Sequence, residues 1–174
     1  GCGIGFVADQ HGRASHALLS LALEALNNLQ HRGALSADAR TGDGAGVLTP
    51  LPRNLFARED ERLTGRPVDP DQLAVGVFFF RPDTAEQCMA LAESAIAAQG
   101  LRLLCWREVP TRPDAIGERA RETMPRIMQA ITNSKSQISN LKFEHSLYLA
   151  RKHFERQARP LGAYVPSISS RTIV

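Results

Sequence analysis

The stretch Leu73–Phe80, LAVGVFFF, predicts a strand more strongly than any other run of this chain. Its valines and phenylalanines are residues that favour extended backbone. An alanine-rich segment, Thr84 to Gln99, follows with a helical pattern and ends at Gly100, which suits the position just beyond a helix. The run Leu101 to Val109 predicts a second strand. Residues 73–110 therefore predict a β-α-β unit that forms a small lobe of its own, inserted between earlier and later elements.

The sequence before this unit predicts two short strands and one helix. Residues 3–8 predict a strand whose glycines allow close approach to the backbone. The apolar spacing from Ala14 predicts a helix, with Ser15 as its N-cap. Residues 47–52 predict a second strand, which the prolines end or place at a sheet edge. Residues 57–72 are charged and contain glycine and proline, so they predict a surface connection.

The sequence after the unit predicts one amphipathic helix and a final extended run. Apolar residues at helical spacing form the buried stripe of that helix, namely Phe143, Leu147, Ala150 and Phe154. The polar segment 133–140 before it predicts a mobile connection. The run Tyr164 to Val174 predicts extended chain without a turn or cap at its end, and we expect it to be the first portion of something longer.

Composition and charge exclude several classes of protein. The chain has 174 residues, 43% hydrophobic and 22% charged, which is typical of one globular domain and not of disorder. The net charge of +3 is too small and too scattered to predict nucleic-acid binding. No apolar run approaches the roughly 20 residues that cross a bilayer, and no signal peptide is visible. Three cysteines are too few for a disulfide scaffold, so we expect a reducing, cytoplasmic setting.

Cys2 is the candidate nucleophile. A cysteine at the start of a chain, flanked by Gly1 and Gly3, is an unusual place for a structural thiol. If Cys2 were the true first residue, its own α-amino group, with a pKa of about 7.7–8.0, could act as general base. The alternative is an ordinary thiol beside a cloning remnant.

Arg32 is the second candidate. It lies in His31-Arg32-Gly33, after the predicted helix, where a guanidinium could pair with a carboxylate. The alternative is an exposed turn arginine. The following loop, Thr41 to Gly46, is rich in glycine but is not a phosphate-binding loop, because it lacks a lysine, leads into a strand and carries Asp43.

The remaining reactive side chains predict no second site. Cys88 lies on the alanine-rich helix and Cys105 in an apolar strand, so both are expected in the core. The five histidines have no metal-ligand spacing with the cysteines, and we predict no zinc site. The basic residues around Glu155 predict a solvated helix face; they are Arg151, Lys152, Arg156 and Arg159.

Each of these signals is weak alone, but their order is specific. The first block consists of Cys2-Gly3-Ile4-Gly5-Phe6, Leu29-Gln30-His31-Arg32-Gly33-Ala34, Asp38 and Thr41-Gly42-Asp43-Gly44-Ala45-Gly46. The later blocks are Cys105-Trp106-Arg107-Glu108-Val109-Pro110, Ser146-Leu147-Tyr148-Leu149-Ala150-Arg151-Lys152 and the run from Tyr164 to Val174. Together they resemble the class II glutamine amidotransferase domain at the start of the large subunit of glutamate synthases. The resemblance covers the chain and is weakest over residues 57–72 and 112–140.

The resemblance implies an α+β fold of the N-terminal-nucleophile hydrolase type, an αββα sandwich present here in part. It implies that Cys2 attacks the side-chain amide of glutamine, giving a γ-glutamyl thioester and ammonia, and that water then releases glutamate. It places Arg32 near the nucleophile as a substrate-binding or supporting residue. Asp43 and its glycines match a loop that we interpret as structural.

The same resemblance implies partners and cofactors outside these residues. In the family, ammonia passes to a synthase domain that converts 2-oxoglutarate to glutamate with FMN and an iron–sulfur cluster. We therefore expect no cofactor in this chain, with glutamine, the remaining synthase domains and an electron-donor subunit or ferredoxin as partners, and neither nucleic acid nor membrane. The sequence does not distinguish NADPH, NADH and ferredoxin as electron donor.

Two departures from the family pattern leave alternatives open. Gly1 precedes Cys2, and an amide at the Cys2 nitrogen would remove the proposed base. No Asn-Gly pair, which forms the family's oxyanion hole, occurs in the 174 residues, and a missing oxyanion donor costs about 10²–10³-fold in rate. We therefore expect an incomplete amidotransferase domain. The alternatives are a truncated, non-catalytic homologue that acts as a binding or regulatory module and another N-terminal-nucleophile amide hydrolase, such as an acylase.

Overall fold

The computed structural model describes residues 3–29, 33–34, 38, 41–42, 44–134 and 139–174. The chain divides into two compact units: residues 1–49 with 112–122, and residues 50–111 with 123–174. None of the described helices is long and apolar enough to cross a membrane. Half of the segment predicted to be mobile, residues 135–138 of 133–140, lies outside the described residues.

The first unit contains helix α1, His16–Asn28, and the short helix α4, Glu118–Glu122. Ser15 has extended backbone, and its side-chain oxygen accepts a hydrogen bond from the Leu18 N–H at 3.3 Å. This bond satisfies one of the amide donors that a helix leaves free in its first turn. The predicted helix and its N-cap are therefore confirmed.

The strand predicted at residues 3–8 is wrong. This segment has no regular secondary structure, and the side chains of Ile4 and Phe6 are 99% and 94% exposed. A strand needs a partner to take its backbone hydrogen bonds, and glycine adds entropy that opposes extended pairing. The second predicted strand, residues 47–52, shortens to β1, Thr49–Pro50, beside prolines that cannot donate to a ladder.

The second unit consists of a four-stranded sheet and three long helices. Its helices are α2, Arg53–Thr64; α3, Ala85–Ala98; and α5, Asn140–Ala158. Its sheet strands are β2, Leu73–Phe80; β3, Leu101–Glu108; β4, Arg126–Ser134; and β5, Tyr164–Ser169. Strand β1 pairs with β6, Thr172–Ile173, in a separate two-stranded sheet. Pro50 of β1 belongs to the second unit. The two strands and the helix predicted between residues 73 and 109 and the helix with the apolar stripe are thus present. The final run, predicted as one extended stretch, is divided by a bend at residues 170–171 into β5 and β6.

The four-stranded sheet is antiparallel, with the strand order β3-β4-β2-β5. Strand β2 pairs along its full length with β4, from Leu73 opposite Asn133 to Phe80 opposite Arg126. The two strands of the predicted β-α-β unit are therefore not neighbours, because β4 lies between them. Residues 73–110 share their sheet with later strands, and their division into an inserted lobe stays a prediction.

One face of the sheet packs against α3 and α5 and forms the aromatic core. Phe78 lies at its centre, with ring centroids 5.4 Å from Trp106 and 5.3 Å from Phe154, both edge to face. Gly76 leaves room for this ring, because a Cβ at Gly76 would lie 2.6 Å from Phe78 Cε2. The four stripe residues predicted for α5 are all buried. Burying one such aromatic side chain contributes about 1.5–3 kcal/mol to the free energy of unfolding.

The opposite face of the sheet packs against α2 and forms the aliphatic core, to which Phe56 contributes from the helix and Val75, Val77 and Ile131 from the sheet. The surface connection predicted for residues 57–72 is therefore wrong over residues 57–64, which belong to α2. The glycine and prolines that suggested it follow the helix: Gly65 has a φ of 71° and ends α2 in the left-handed conformation.

An ion-pair network joins α2 to β3. Glu59 accepts a hydrogen bond from Arg107 Nε at 2.8 Å and one from Arg62 at 3.2 Å. Arg107 also donates to Gln129 Oε1 at 2.8 Å, which extends the network to β4. Hydrogen bonds from Arg62 and then Arg107 lower the pKa of Glu59 to about 2. The carboxylate is therefore ionised at neutral pH.

Helices packed on both faces of an antiparallel four-stranded sheet make the fold α+β, as predicted. Of the expected αββα sandwich, the described residues contain one four-stranded sheet with helices on both faces and one two-stranded sheet. The second unit contains the four-stranded sheet and both hydrophobic cores. The first unit includes the positions of the two predicted site residues, Cys2 and Arg32.

Candidate functional site

The two predicted site residues, Cys2 and Arg32, lie outside the described residues, as do Gly1, His31 and Asp43. The structure does describe the residues that adjoin them in the chain. Gly3 directly follows Cys2, and Leu29 precedes Arg32 by three positions. The contacts of Gly3 and Leu29 therefore describe the surroundings of the candidate site.

Gly3 lies against the side chain of Leu29. A Cβ at Gly3 would be 3.2 Å from both methyl carbons of Leu29, closer than ordinary van der Waals contact. Leu29 is the C-cap residue of α1, and its N–H donates to the Leu26 carbonyl at 3.1 Å. The N-terminal segment is therefore placed beside the end of α1, and a glycine at position 3 permits that approach.

A second contact in the first unit joins residues that are far apart in sequence. Thr41 donates twice to Asp38, from its N–H to Oδ1 and from its hydroxyl to Oδ2, each at 2.8 Å. Gly117 N–H in turn donates to the Thr41 hydroxyl oxygen at 3.0 Å. A Cβ at Gly117 would lie 1.7 Å from Asp38 Oδ2, so only glycine fits there. The backbone before α4 thus fixes the segment that contains the Asp38 and Thr41 motif.

Sequence reasoning missed the part that Gly117 plays. Asp38 and Thr41 belong to the first motif block, but Gly117 lies in the region where the resemblance is weakest. An isolated glycine in such a region indicates a structural role only when the side chain that approaches it is known. That signal comes from the structure alone.

The other two cysteines are poor nucleophiles. Cys88 is fully buried in the aromatic core, and burial raises the pKa of its thiol. Cys105 lies on the opposite face of the sheet, against the aliphatic core, and burial followed by the neighbouring Asp60 carboxylate raises its pKa to about 12. Both thiols are protonated at neutral pH, whereas the reactive form of cysteine is the thiolate. Their predicted core positions are confirmed for Cys88 and hold in part for the half-buried Cys105.

Two basic residues of α5 pair with one of the two acidic residues of that helix. Glu155 accepts from Arg151 Nε and from Lys152 Nζ, each at 2.7 Å. The hydrogen bond from Lys152 has the largest effect on the pKa of Glu155 and lowers it. Burial opposes this effect, and the hydrogen bond from Arg151 lowers the pKa further. Arg156 donates to the Lys152 carbonyl at 3.3 Å. These contacts fit a solvated helix face.

No three histidine, cysteine, aspartate or glutamate side chains among the described residues are arranged to hold a metal ion. The predicted lack of a zinc site is not tested by this observation, since Cys2, His31 and Asp43 are outside the described part of the chain.

Comparison with known proteins connects these observations. The family model for class-II glutamine amidotransferases matches residues 2–174. The chain is 35% identical over 179 residues to the glutamate synthase (NADPH) large chain of Azospirillum brasilense, covering 99% of this chain and 12% of that protein. It is 37% identical over 175 residues to ferredoxin-dependent glutamate synthase 2 of Synechocystis, covering 99% of this chain and 11% of that protein.

The glutamate synthase (NADPH) large chain of Bacillus subtilis gives a similar alignment, 33% identical over 178 residues and covering 12% of that protein. The chain thus spans about one eighth or less of the length of these curated relatives. Relatives named for NADPH and for ferredoxin match it about equally well. The family match runs from the predicted nucleophile to the last residue, and the chain belongs to the class-II glutamine amidotransferases.

Proposed function

We propose that this chain is the glutamine-hydrolysing part of a glutamate synthase, with Cys2 as nucleophile and Arg32 as a substrate-binding or supporting residue. The observation that carries the proposal is the family match over residues 2–174, which begins at Cys2. The high pKa of Cys105, about 12, and the raised pKa of Cys88 add support, because they leave Cys2 as the remaining thiol of the chain.

The Gly3–Leu29 contact supports placing Cys2 and Arg32 in one site. Gly3 is bonded to Cys2, and three residues of extended chain reach at most about 11 Å from Leu29. The Asp38–Thr41–Gly117 hydrogen bonds support the same site from its other side, because they fix the chain that follows Arg32. An arginine at that position can pair with the carboxylate of a bound glutamine.

In the proposed reaction the Cys2 thiolate attacks the side-chain carbonyl carbon of glutamine. The C–N bond breaks, nitrogen leaves as ammonia with the proton that the base has taken up, and a γ-glutamyl thioester remains. Water then attacks the thioester and releases glutamate and the free thiol. We propose the α-amino group of Cys2 as the base, which requires that Gly1 be removed, since an amide nitrogen cannot take the proton. The oxyanion donor comes from a segment other than these residues, which contain no Asn-Gly pair.

The ammonia is used in reductive amination of 2-oxoglutarate by the remaining domains of the synthase, in the cytoplasm and with an electron-donor subunit or ferredoxin as partner. FMN and an iron–sulfur cluster belong to those domains. The described cysteines do not fit a cluster, because Cys88 and Cys105 lie on opposite faces of the sheet and both thiols are protonated. Residues 73–110 form the proposed inserted lobe.

The test is the intact mass of the protein before and after exposure to a reactive glutamine analogue that alkylates glutaminase cysteines. We expect one adduct, lost in Cys2→Ala and retained in the control Cys105→Ala. The starting mass also shows whether Gly1 is present. An adduct that persists in Cys2→Ala would contradict Cys2 as the nucleophile. No adduct on a folded sample would contradict the proposal and favour the non-catalytic binding or regulatory module.

A further inference from the structure

A cavity of about 250 Å³ lies between the C-terminal half of α2, the segment that follows it and strand β3. Its polar lining includes Asp60, Arg66 and Arg102, and its apolar lining includes Val68, Leu103 and Leu104. All of these residues belong to the second unit. One water molecule takes up about 30 Å³ in the liquid, so the cavity has room for a small organic molecule.

Asp60 is the unusual member of this lining. Its side chain is only 2% exposed, and its Oδ1 atom has no hydrogen-bond donor among the described residues. A carboxylate oxygen held away from water without a donor is destabilising, and native proteins leave few such groups. The Cys105 thiol is hydrogen-bonded to the Asp60 carboxylate, but a thiol is a weak donor. Asp60 is therefore suited to accept a hydrogen bond from an N–H group, and best from a charged one.

Arg66 and Arg102 add positive charge to the lining of the cavity. Both side chains are exposed, and in the described part of the chain neither forms an ion pair with a carboxylate. Arg102 is held in place by its Nε, which donates to Asn133 Oδ1 at 3.2 Å. A guanidinium with free Nη groups binds carboxylates in a bidentate manner. A buried acceptor and an anion-binding pair thus line the same cavity.

We propose that this cavity binds a free α-amino acid as its zwitterion. The ammonium group donates to Asp60, the carboxylate pairs with Arg102 and Arg66, and a small aliphatic side chain contacts Val68 and Leu104. A simple anion would be repelled by Asp60 and a simple cation by the arginines, so one molecule with both charges fits the lining. This binding site goes beyond the proposed glutaminase reaction and does not depend on it.

Calorimetric titration of the Cys2→Ser protein with L-valine tests the proposal. The Cys2 substitution removes glutamine hydrolysis from the measurement, and valine has no side-chain amide. We expect one molecule bound per chain, with a dissociation constant of about 1 mM or lower for so small a ligand. Three probes isolate the parts of valine: isobutylamine lacks the carboxylate, isovalerate lacks the ammonium, and trimethylglycine has both charges but no N–H donor. Each should bind at least about tenfold more weakly.

Substitutions locate the site. Asp60→Asn and Arg102→Gln should each weaken valine binding by about tenfold or more. The matched controls, Glu61→Gln and Arg58→Gln, change the same charges on exposed positions of α2 outside the cavity lining and should leave binding unchanged. If Asp60→Asn does not fold, the exposed Arg102→Gln still decides the question.

Absence of valine binding at millimolar concentration would overturn the proposal, and so would binding that neither substitution weakens. Isobutylamine or isovalerate binding as tightly as valine would also overturn it, since the site would then recognise one charge only. None of these outcomes bears on alkylation of Cys2, so this inference and the proposed function fail separately.

Discussion

Strand β2 and the N-terminal segment, residues 3–8, both combine glycine with apolar residues, yet they differ in burial. Seven of the eight residues of β2 are buried, whereas every residue from 3 to 8 is exposed. Helix α5 buries five residues and α1 buries none. The difference lies in partners: β2 has a strand on each side and a core on each face, and the N-terminal segment has the Leu29 contact.

This contrast separates the residues that stabilise the fold from the residues that are predicted to form the functional site. The second unit, called here the sheet unit, contains both cores but neither of the two predicted site residues, whereas the first unit carries the first motif block. Binding and catalytic residues commonly lie on segments with few packing contacts, positioned by a rigid scaffold. Stability and activity should therefore respond to substitutions in different units.

The largest expected effect on stability is that of Phe78→Ala. Removing the ring at the centre of the aromatic core should lower the free energy of unfolding by about 3–5 kcal/mol. The matched control is Phe6→Ala, whose ring is 94% exposed and which should change that free energy by less than about 0.5 kcal/mol. Urea denaturation measures both. Equal losses would mean that the N-terminal segment is packed as firmly as the sheet.

Much of the sheet unit could be predicted from sequence, because its elements carry strong local signals. The β-branched and aromatic residues of β2 and the spacing of Phe143, Leu147 and Phe154 in α5 leave little choice of structure. Strand β4 was missed because its burial is partly polar: Gln129 and Thr132 are buried within it. Such residues predict a strand only when their hydrogen-bond partners are known.

Helix α2 was missed for a different reason. Its sequence is highly charged, and Glu59 and Arg62 satisfy one another and Arg107 in a way that no local pattern shows. Cys2 and Arg32 are candidates because of their positions in the chain, the order of the motifs and the family resemblance, and not because of a contact in the structure. The Thr41–Gly117 contact joins residues 76 positions apart, and sequence spacing alone does not predict such a pairing.

Gly117→Ala should produce the next largest effect, confined to the first unit. The added methyl group would lie 1.7 Å from Asp38 Oδ2, so the chain must move and lose the hydrogen bond to Thr41. We expect faster amide exchange at position 117 and at Thr41, corresponding to about 1–3 kcal/mol of local stability.

Gly44→Ala is the control for this change, because no atom lies within 4 Å of a Cβ at Gly44. It should leave exchange at Thr41 unchanged or slow it slightly, as expected where alanine fits the backbone. Fast exchange in the control, or normal exchange in Gly117→Ala, would show that the Asp38 segment is not fixed by residue 117.

The smallest effect is the contribution of Glu59 to acid stability. Its pKa in the folded protein is about 2, against an ordinary value of 4.5. A depressed pKa means stabilisation that is present above the unfolded value and is lost as the pH falls through 4.5 toward 2. Glu59→Gln should therefore flatten the decline of the melting temperature between these pH values. The exposed Glu61→Gln should keep the decline of the parent protein, and an equal flattening in both would remove Glu59 as its cause.

The central claim, that Cys2 carries the chemistry while the sheet unit carries the fold, is tested most directly by glutamine-dependent glutamate formation in the full-length enzyme. We expect Cys2→Ala to lower this rate by about 10³-fold or more while leaving the melting temperature unchanged. Ammonia supplied directly should restore glutamate formation, and Cys88→Ala should retain the glutamine-dependent rate. An undiminished glutamine-dependent rate in Cys2→Ala would contradict the account.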